Sequence, residues 1–164
     1  MFSETIGSAM SGEPAKANLE TKRLTELRDA AAMKLNYWVD QIDIQAEVVR
    51  GLTAFAEGKR DEGDAILRRA AEREDASSKN VVTPGPVVPA REMLATVLER
   101  DCMPADALAE FEKVLEHQPN RYRAIAGAAQ NAKQAGNELK AVVHYAELLL
   151  KLMEHADKPA LGDN

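Results

Sequence analysis

Three histidines, one cysteine and 27 carboxylates are the side chains here from which metal, nucleophilic or acid–base chemistry could be built. A metal site needs His, Cys, Asp or Glu ligands converging on one ion. His144 and His155 share a helical face, but eleven residues at about 1.5 Å of rise hold them roughly 16 Å apart. His117 stands further off. His144 and Glu147, one turn apart, could supply two ligands, yet the pattern also fits an ordinary solvated helix face, and no metal is expected. Cys102 lies in a turn just before a helix start at Pro104, a place where reactive thiols can sit. A nucleophile also needs a base and an orienting group, and no histidine is near in sequence. The equivalent place one repeat later is Gly136, so Cys102 reads as a small turn residue. Neither Gly-x-Ser-x-Gly, a phosphate loop nor a dinucleotide fingerprint is present. No catalytic residue, no cofactor and no enzymatic activity are expected.

Composition narrows the class. With 164 residues, 45% hydrophobic and 29% charged, the chain is expected to form one globular domain, and its 9 Gly and 7 Pro exclude collagen-like or low-complexity architecture. A net charge of -6 argues against nonspecific binding to nucleic acid or to an anionic membrane, since both need clustered positive charge. No apolar run approaches the roughly 18 residues that span a bilayer, and the first 17 residues lack a basic start followed by an apolar core. A single cysteine cannot form an internal disulfide and fits a reducing compartment. A soluble, cytoplasmic protein is expected.

The elements that must position any site are helices. Apolar residues such as Leu24, Leu27, Ala31 and Leu35 recur every three or four positions, and strict alternation is missing. Turn and capping residues divide the chain at Gly12-Glu13-Pro14, Asn36, Gly58, Pro104, Asn120 and Gly136-Asn137. Eight helices are predicted: Phe2 to Ser11, Pro14 to Met33, Tyr37 to Glu57, Arg60 to Asp75, Ala90 to Arg100, Pro104 to His117, Arg121 to Ala135 and Glu138 to His155.

Helical pairs repeat. Gly51 and Gly63 are small residues twelve apart, as are Ala95 and Ala107, and Ala129 and Ala141. Each pair brackets a turn at Gly58, Cys102 or Gly136, and four residues on comes a large side chain, Leu67, Phe111 or Tyr145. Helices approach closely only where side chains are small, and the large residue is expected to fill the gap against the next pair. From Ala95 to Ala129 the period is 34. On these residues the chain resembles the tetratricopeptide-repeat family, whose unit is 34 residues of helix, turn and helix. The unit Val88 to Arg121 carries Leu94-Ala95, Leu98, Ala107, Phe111, Val114-Leu115 and Pro119; others run from Tyr122 to His155 and from Ile44 to Ser77, with a partial one over 1–33. Cys102 replaces the usual turn glycine, Met153 stands at the closing proline, and no unit has the family's early tryptophan. The resemblance implies an all-α, right-handed α-solenoid of antiparallel helix pairs. Gly51 to Ala95 is ten residues longer than the period, and the excess falls in Ser77 to Pro89, an expected extended Pro-rich crossover.

The resemblance further implies a noncatalytic scaffold that binds a peptide or partner domain in a concave groove lined by first helices. Helical geometry assigns to that groove Gln41, Gln45, Val48, Leu52 and Phe55, then Glu92, Thr96 and Glu99, then Arg123, Gln130 and Lys133, with Trp38 near its N-terminal part. At the places where chaperone-binding members hold a C-terminal carboxylate stand Val48, Val49, Leu52, Met93 and Gly127, so a clamp of that kind is not expected. The basic pairs Lys22-Arg23 and Arg68-Arg69 read as solvated faces. The alternative function is structural: a segment of a longer helical array, or an accessory domain of a larger protein. It draws on Leu148, Leu149, Leu150, Leu152 and Met153, which cover more of the last helix than one buried stripe needs. Leu149, Leu152 and Met153 are therefore expected to meet a second copy or a neighbouring domain.

Overall fold

In the computed structural model, which describes residues 2–32, 36–77 and 88–156, every regular element is a helix. Among the described residues these are α1 (Phe2–Met10), α2 (Pro14–Ala32), α3 (Asn36–Ala56), α4 (Arg60–Ala76), α5 (Ala90–Arg100), α6 (Pro104–His117), α7 (Tyr122–Gln134) and α8 (Glu138–Ala156). Each boundary lies within two residues of its sequence expectation, because the start and stop chemistry is local. Pro14 opens α2 and Pro104 opens α6, where an absent N–H costs nothing. Asn137 caps α8, its Oδ1 accepting the Lys140 N–H at 3.2 Å. Contacts divide the chain into two compact units, Met1–Leu94 and Ala95–Asn164, where the sequence suggests a single domain.

Four helix ends share one bond pattern. At the turn after α1 the Glu13 N–H donates to the Ser8 carbonyl (2.9 Å) and the Gly12 N–H to that of Ala9 (3.4 Å). Lys59 and Gly58, Met103 and Cys102, and Asn137 and Gly136 repeat it with the carbonyls of Ala54 and Phe55, Leu98 and Glu99, and Ala132 and Lys133. This double closure requires a left-handed residue, which glycine supplies without a Cβ clash. Gly12, Gly58 and Gly136 have φ of 79°, 81° and 75°, and Cys102 is held at 58°. A non-glycine residue there costs about 1–2 kcal/mol. Cys102→Gly is therefore expected to raise stability by about 0.5–1 kcal/mol, the added freedom of glycine in the unfolded chain offsetting part of the relief. The urea midpoint checks it.

In the first unit α1 packs on α2 and α3, α2 on α3, and α3 on α4. Ile6, Ala17, Leu24, Ile44, Val49 and Leu67 are buried there. The close approach expected at Gly51 and Gly63 is present. A Cβ on Gly51 would stand 2.7 Å from Leu67 Cγ, and one on Gly63 would stand 2.5 Å from the Phe55 ring and 3.0 Å from the Gly51 carbonyl oxygen. Leu67 thus fills space within its own pair of helices. On α2 the inward stripe is Ala17, Thr21, Leu24 and Arg28, and Leu27 falls at its edge and is exposed. The side chains of Ala31 and Leu35 lie outside the described residues. So does most of the expected crossover, residues 78–87. What brackets it is a side-chain clasp: Glu74 Oε2 accepts the Ala90 N–H at the start of α5 (2.7 Å), and Arg91 Nε donates to Asp75 Oδ2 (2.7 Å).

In the second unit α6 packs on α7 and α7 on α8. Its core is Ala95, Leu108, Phe111, Val114, Ala124, Ala128, Ala132 and Ala141. The alanines let the helix axes come close, and Phe111 fills what remains. Its ring lies over Gly127, where a Cβ would meet three ring carbons at 2.5–2.8 Å. Tyr145, which the spacing equates with Phe111, is exposed.

Candidate functional site

The expected groove residues do not share one environment. On α3, Gln41, Gln45, Val48, Leu52 and Phe55 follow each other at helical spacing on one face. Only its N-terminal part is accessible: Gln41 and Gln45 are half-buried, and the Gln41 amide donates to Ser77 Oγ at 3.5 Å. Leu52 and Val48 are core residues, because α3 is covered by α1 and α2 as well as by α4. Phe55 is half-buried and closes on Gly63, which gives it a packing role. The Trp38 side chain lies outside the described residues.

On α5, Glu92 and Thr96 are buried, against the expectation that they line a groove. All seven residues from Glu92 to Leu98 are buried, so the helix has no solvent face over that stretch. An amphipathic helix would leave Glu92 and Thr96 exposed, whereas α5 shows no exposed residue over that stretch. Glu99 is half-buried, its Oε1 accepting the Asn131 amide at 3.0 Å.

On α7 the expected row is accessible. Arg123, Gln130 and Lys133 are exposed at spacings of seven and three, which places them along one face. The opposite side is Ala124, Ile125, Ala128, Ala129 and Ala132, all buried. A small-residue core thus holds the helix rigidly while two cations and an amide project from it. Asn131, fully buried, also donates to the Gly127 carbonyl at 2.9 Å, and its Oδ1 has no hydrogen-bond partner. At the α6–α7 turn an open depression is lined by Gln118, Pro119, Asn120, Arg121 and Tyr122. It is braced from α8, where the Lys151 carbonyl accepts the Tyr122 hydroxyl (3.1 Å) and Lys151 Nζ donates to Asn120 Oδ1 (2.6 Å).

Two charge clusters escaped the sequence reading. In the first unit Asp40, Asp43 and Glu47 occupy one face of α3. Asp43 receives Arg28 from α2 (3.0 Å), Asp40 receives Arg73 from α4 (2.7 Å), and Glu47 receives Arg69 (3.3 Å). Arg69 is exposed, as expected of a solvated face, and from there reaches across to α3. The Arg73 guanidinium is held above its ordinary range by its hydrogen bond to Asp40, and Arg28 by its bonds to Asp29 and Asp43. The signal was legible as carboxylates at i, i+3 and i+7 facing arginines four apart. These pairs are partly solvated, so each contributes little and the set fixes helix register. In the second unit Glu112 of α6 receives Lys140 (2.7 Å) and lies 3.3 Å from His144 Nε2, both on α8. Glu147 is 4.0 Å from His144 Nδ1. His144 is thus enclosed between carboxylates and off the solvated face on which it was placed.

Among the described residues no three His, Cys, Asp or Glu side chains are arranged to hold a metal ion, and no helix is long and apolar enough to cross a membrane. No family model, curated protein or solved structure matches this chain.

Proposed function

We propose that this chain is a noncatalytic protein-interaction scaffold of the tetratricopeptide-repeat kind, a cytoplasmic right-handed solenoid of antiparallel helix pairs that binds a peptide or partner domain on its first helices. The all-helical chain, its four turns of one bond pattern and the 34-residue step from Cys102 to Gly136 support that reading. The observation that carries it is the accessible row Arg123, Gln130 and Lys133 on α7. Arg123, Gln130 and Lys133, exposed along one face in a chain of net charge -6, suit an acidic segment of a partner. Once a partner is in hand, Arg123→Ala, Gln130→Ala and Lys133→Ala combined are expected to weaken binding at least about 30-fold with helical circular dichroism unchanged, since interface arginines dominate such losses. Unchanged affinity would remove α7 from the binding surface. Phe55 is a poor choice for that variant because its ring closes the α3–α4 contact.

A second reading, that the chain acts as a structural segment docking through helix faces, is favoured by one observation: the outer side of α8 is apolar and exposed.

A further inference from the structure

α8 is turned inside out relative to an ordinary surface helix, which hides its apolar stripe and shows its polar one. Its inward side carries Ala141, His144, Leu148 and Lys151, two of the four being polar and engaged by Glu112 or Asn120. Its outward side carries Leu139, Val142, Val143, Ala146, Leu149, Leu150 and Met153. The six large residues among these are each 55–77% exposed. At 100° per residue all seven fall within about 120° of the helix circumference, centred on Ala146. Leu139, Val142, Ala146, Leu149 and Met153 step by three, four, three and four residues, the spacing with which one helix seats against another.

The stripe is also symmetric about Ala146. Three residues to either side stand Val143 and Leu149, four to either side Val142 and Leu150, and seven to either side Leu139 and Met153. We infer that this face binds a second copy of the same chain, with the two α8 helices antiparallel and Ala146 of each copy at the twofold axis. The inference rests on the docking-segment reading and names its partner. An isologous contact requires a patch complementary to itself, and a stripe that reads alike in both directions meets that requirement. The small side chain at the centre lets the two backbones approach, and every outer apolar residue meets another. Opposed helix dipoles favour the antiparallel arrangement. Lys140, on one shoulder of the stripe and already bonded to Glu112 of its own copy, comes within about two residues, or roughly 3 Å along the axis, of Glu154 on the second copy. Glu147 faces its counterpart across the axis but already has Lys151 at 3.9 Å. A stable dimer of ordinary size takes about 800 Å² from each partner. Six large side chains more than half exposed, with Tyr145 and Leu152 at the edge, supply surface of that order.

Sedimentation equilibrium on the full chain is expected to give twice the 17.9 kDa chain mass at about 50 μM, where an interface of micromolar or tighter affinity is mostly formed. Leu149→Glu places two charges in the contact and is expected to raise the dissociation constant at least about 100-fold with unchanged circular dichroism. Orientation is read by disulfide trapping in a Cys102→Gly background. Ala146→Cys should cross-link to itself. Leu139→Cys should cross-link when mixed with Met153→Cys, and neither of those two should cross-link alone. A monomeric wild type, whether its stripe is bare or covered by the chain's own end, would overturn the inference. So would a dimer unaffected by Leu149→Glu, or Leu139→Cys trapped with itself.

Discussion

Phe111→Ala is expected to destabilise the second unit by about 3–5 kcal/mol, the cost of emptying a fully enclosed aromatic site that cannot collapse. The ring is 2% exposed and sits among Ala124, Ala128 and Ala132, side chains too short to swing into the space it would vacate. Gly127 beneath it makes the prediction sharper. Gly127→Ala should gain up to about 1 kcal/mol from helix propensity. In the intact protein it should nonetheless destabilise by about 1–2 kcal/mol, because the new methyl meets three ring carbons at 2.5–2.8 Å. In a Phe111→Leu background the obstruction is reduced and the same substitution should become neutral or stabilising. A double-mutant cycle from urea melts measures that change of sign, and simple additivity would show that ring and glycine do not share the space.

Gly63→Val should cost about 3 kcal/mol or more in the first unit, through overpacking with a β-branched side chain at a backbone contact. Its Cβ would stand 2.5 Å from the Phe55 ring, which can tilt, but also 3.0 Å from the Gly51 carbonyl oxygen, which cannot move without parting α3 from α4. Gly7 on α1 is the control, since a Cβ there meets nothing within 4 Å. Gly7→Ala is expected to stabilise by about 0.5–1 kcal/mol through helix propensity alone. Thermal melts followed by circular dichroism at 222 nm check both. Equal effects at the two sites would mean that α3 and α4 are not held at glycine distance.

Local chemistry made the helices legible. Prolines at helix starts, glycines at helix ends and small residues twelve apart act over a few residues, so the sequence carries them openly. The groove was harder to read. Whether Leu52, Glu92 and Thr96 face solvent depends on what covers α3 and α5, and spacing within a single helix carries no trace of that. Gln130 and Lys133 came out accessible because the alanines behind them fix which side of α7 is core. The row Asp40, Asp43 and Glu47 is visible in the sequence, but its bonds to Arg28, Arg69 and Arg73 depend on which helices lie beside α3. The outward apolar side of α8 was visible in the leucine run from Leu148 to Leu150, but its symmetry about Ala146 emerged only once the inward residues were known.

Site-specific photo-crosslinking in the source cells decides whether this chain works by presenting a helix face to a protein partner. A benzophenone side chain is placed at Gln130 or Lys133, and for comparison at the exposed positions Glu62 and Glu116. One discrete adduct is expected from the two α7 positions, absent from the two controls and lost on Arg123→Ala. No adduct from α7, or the same adduct from all four positions, would contradict it.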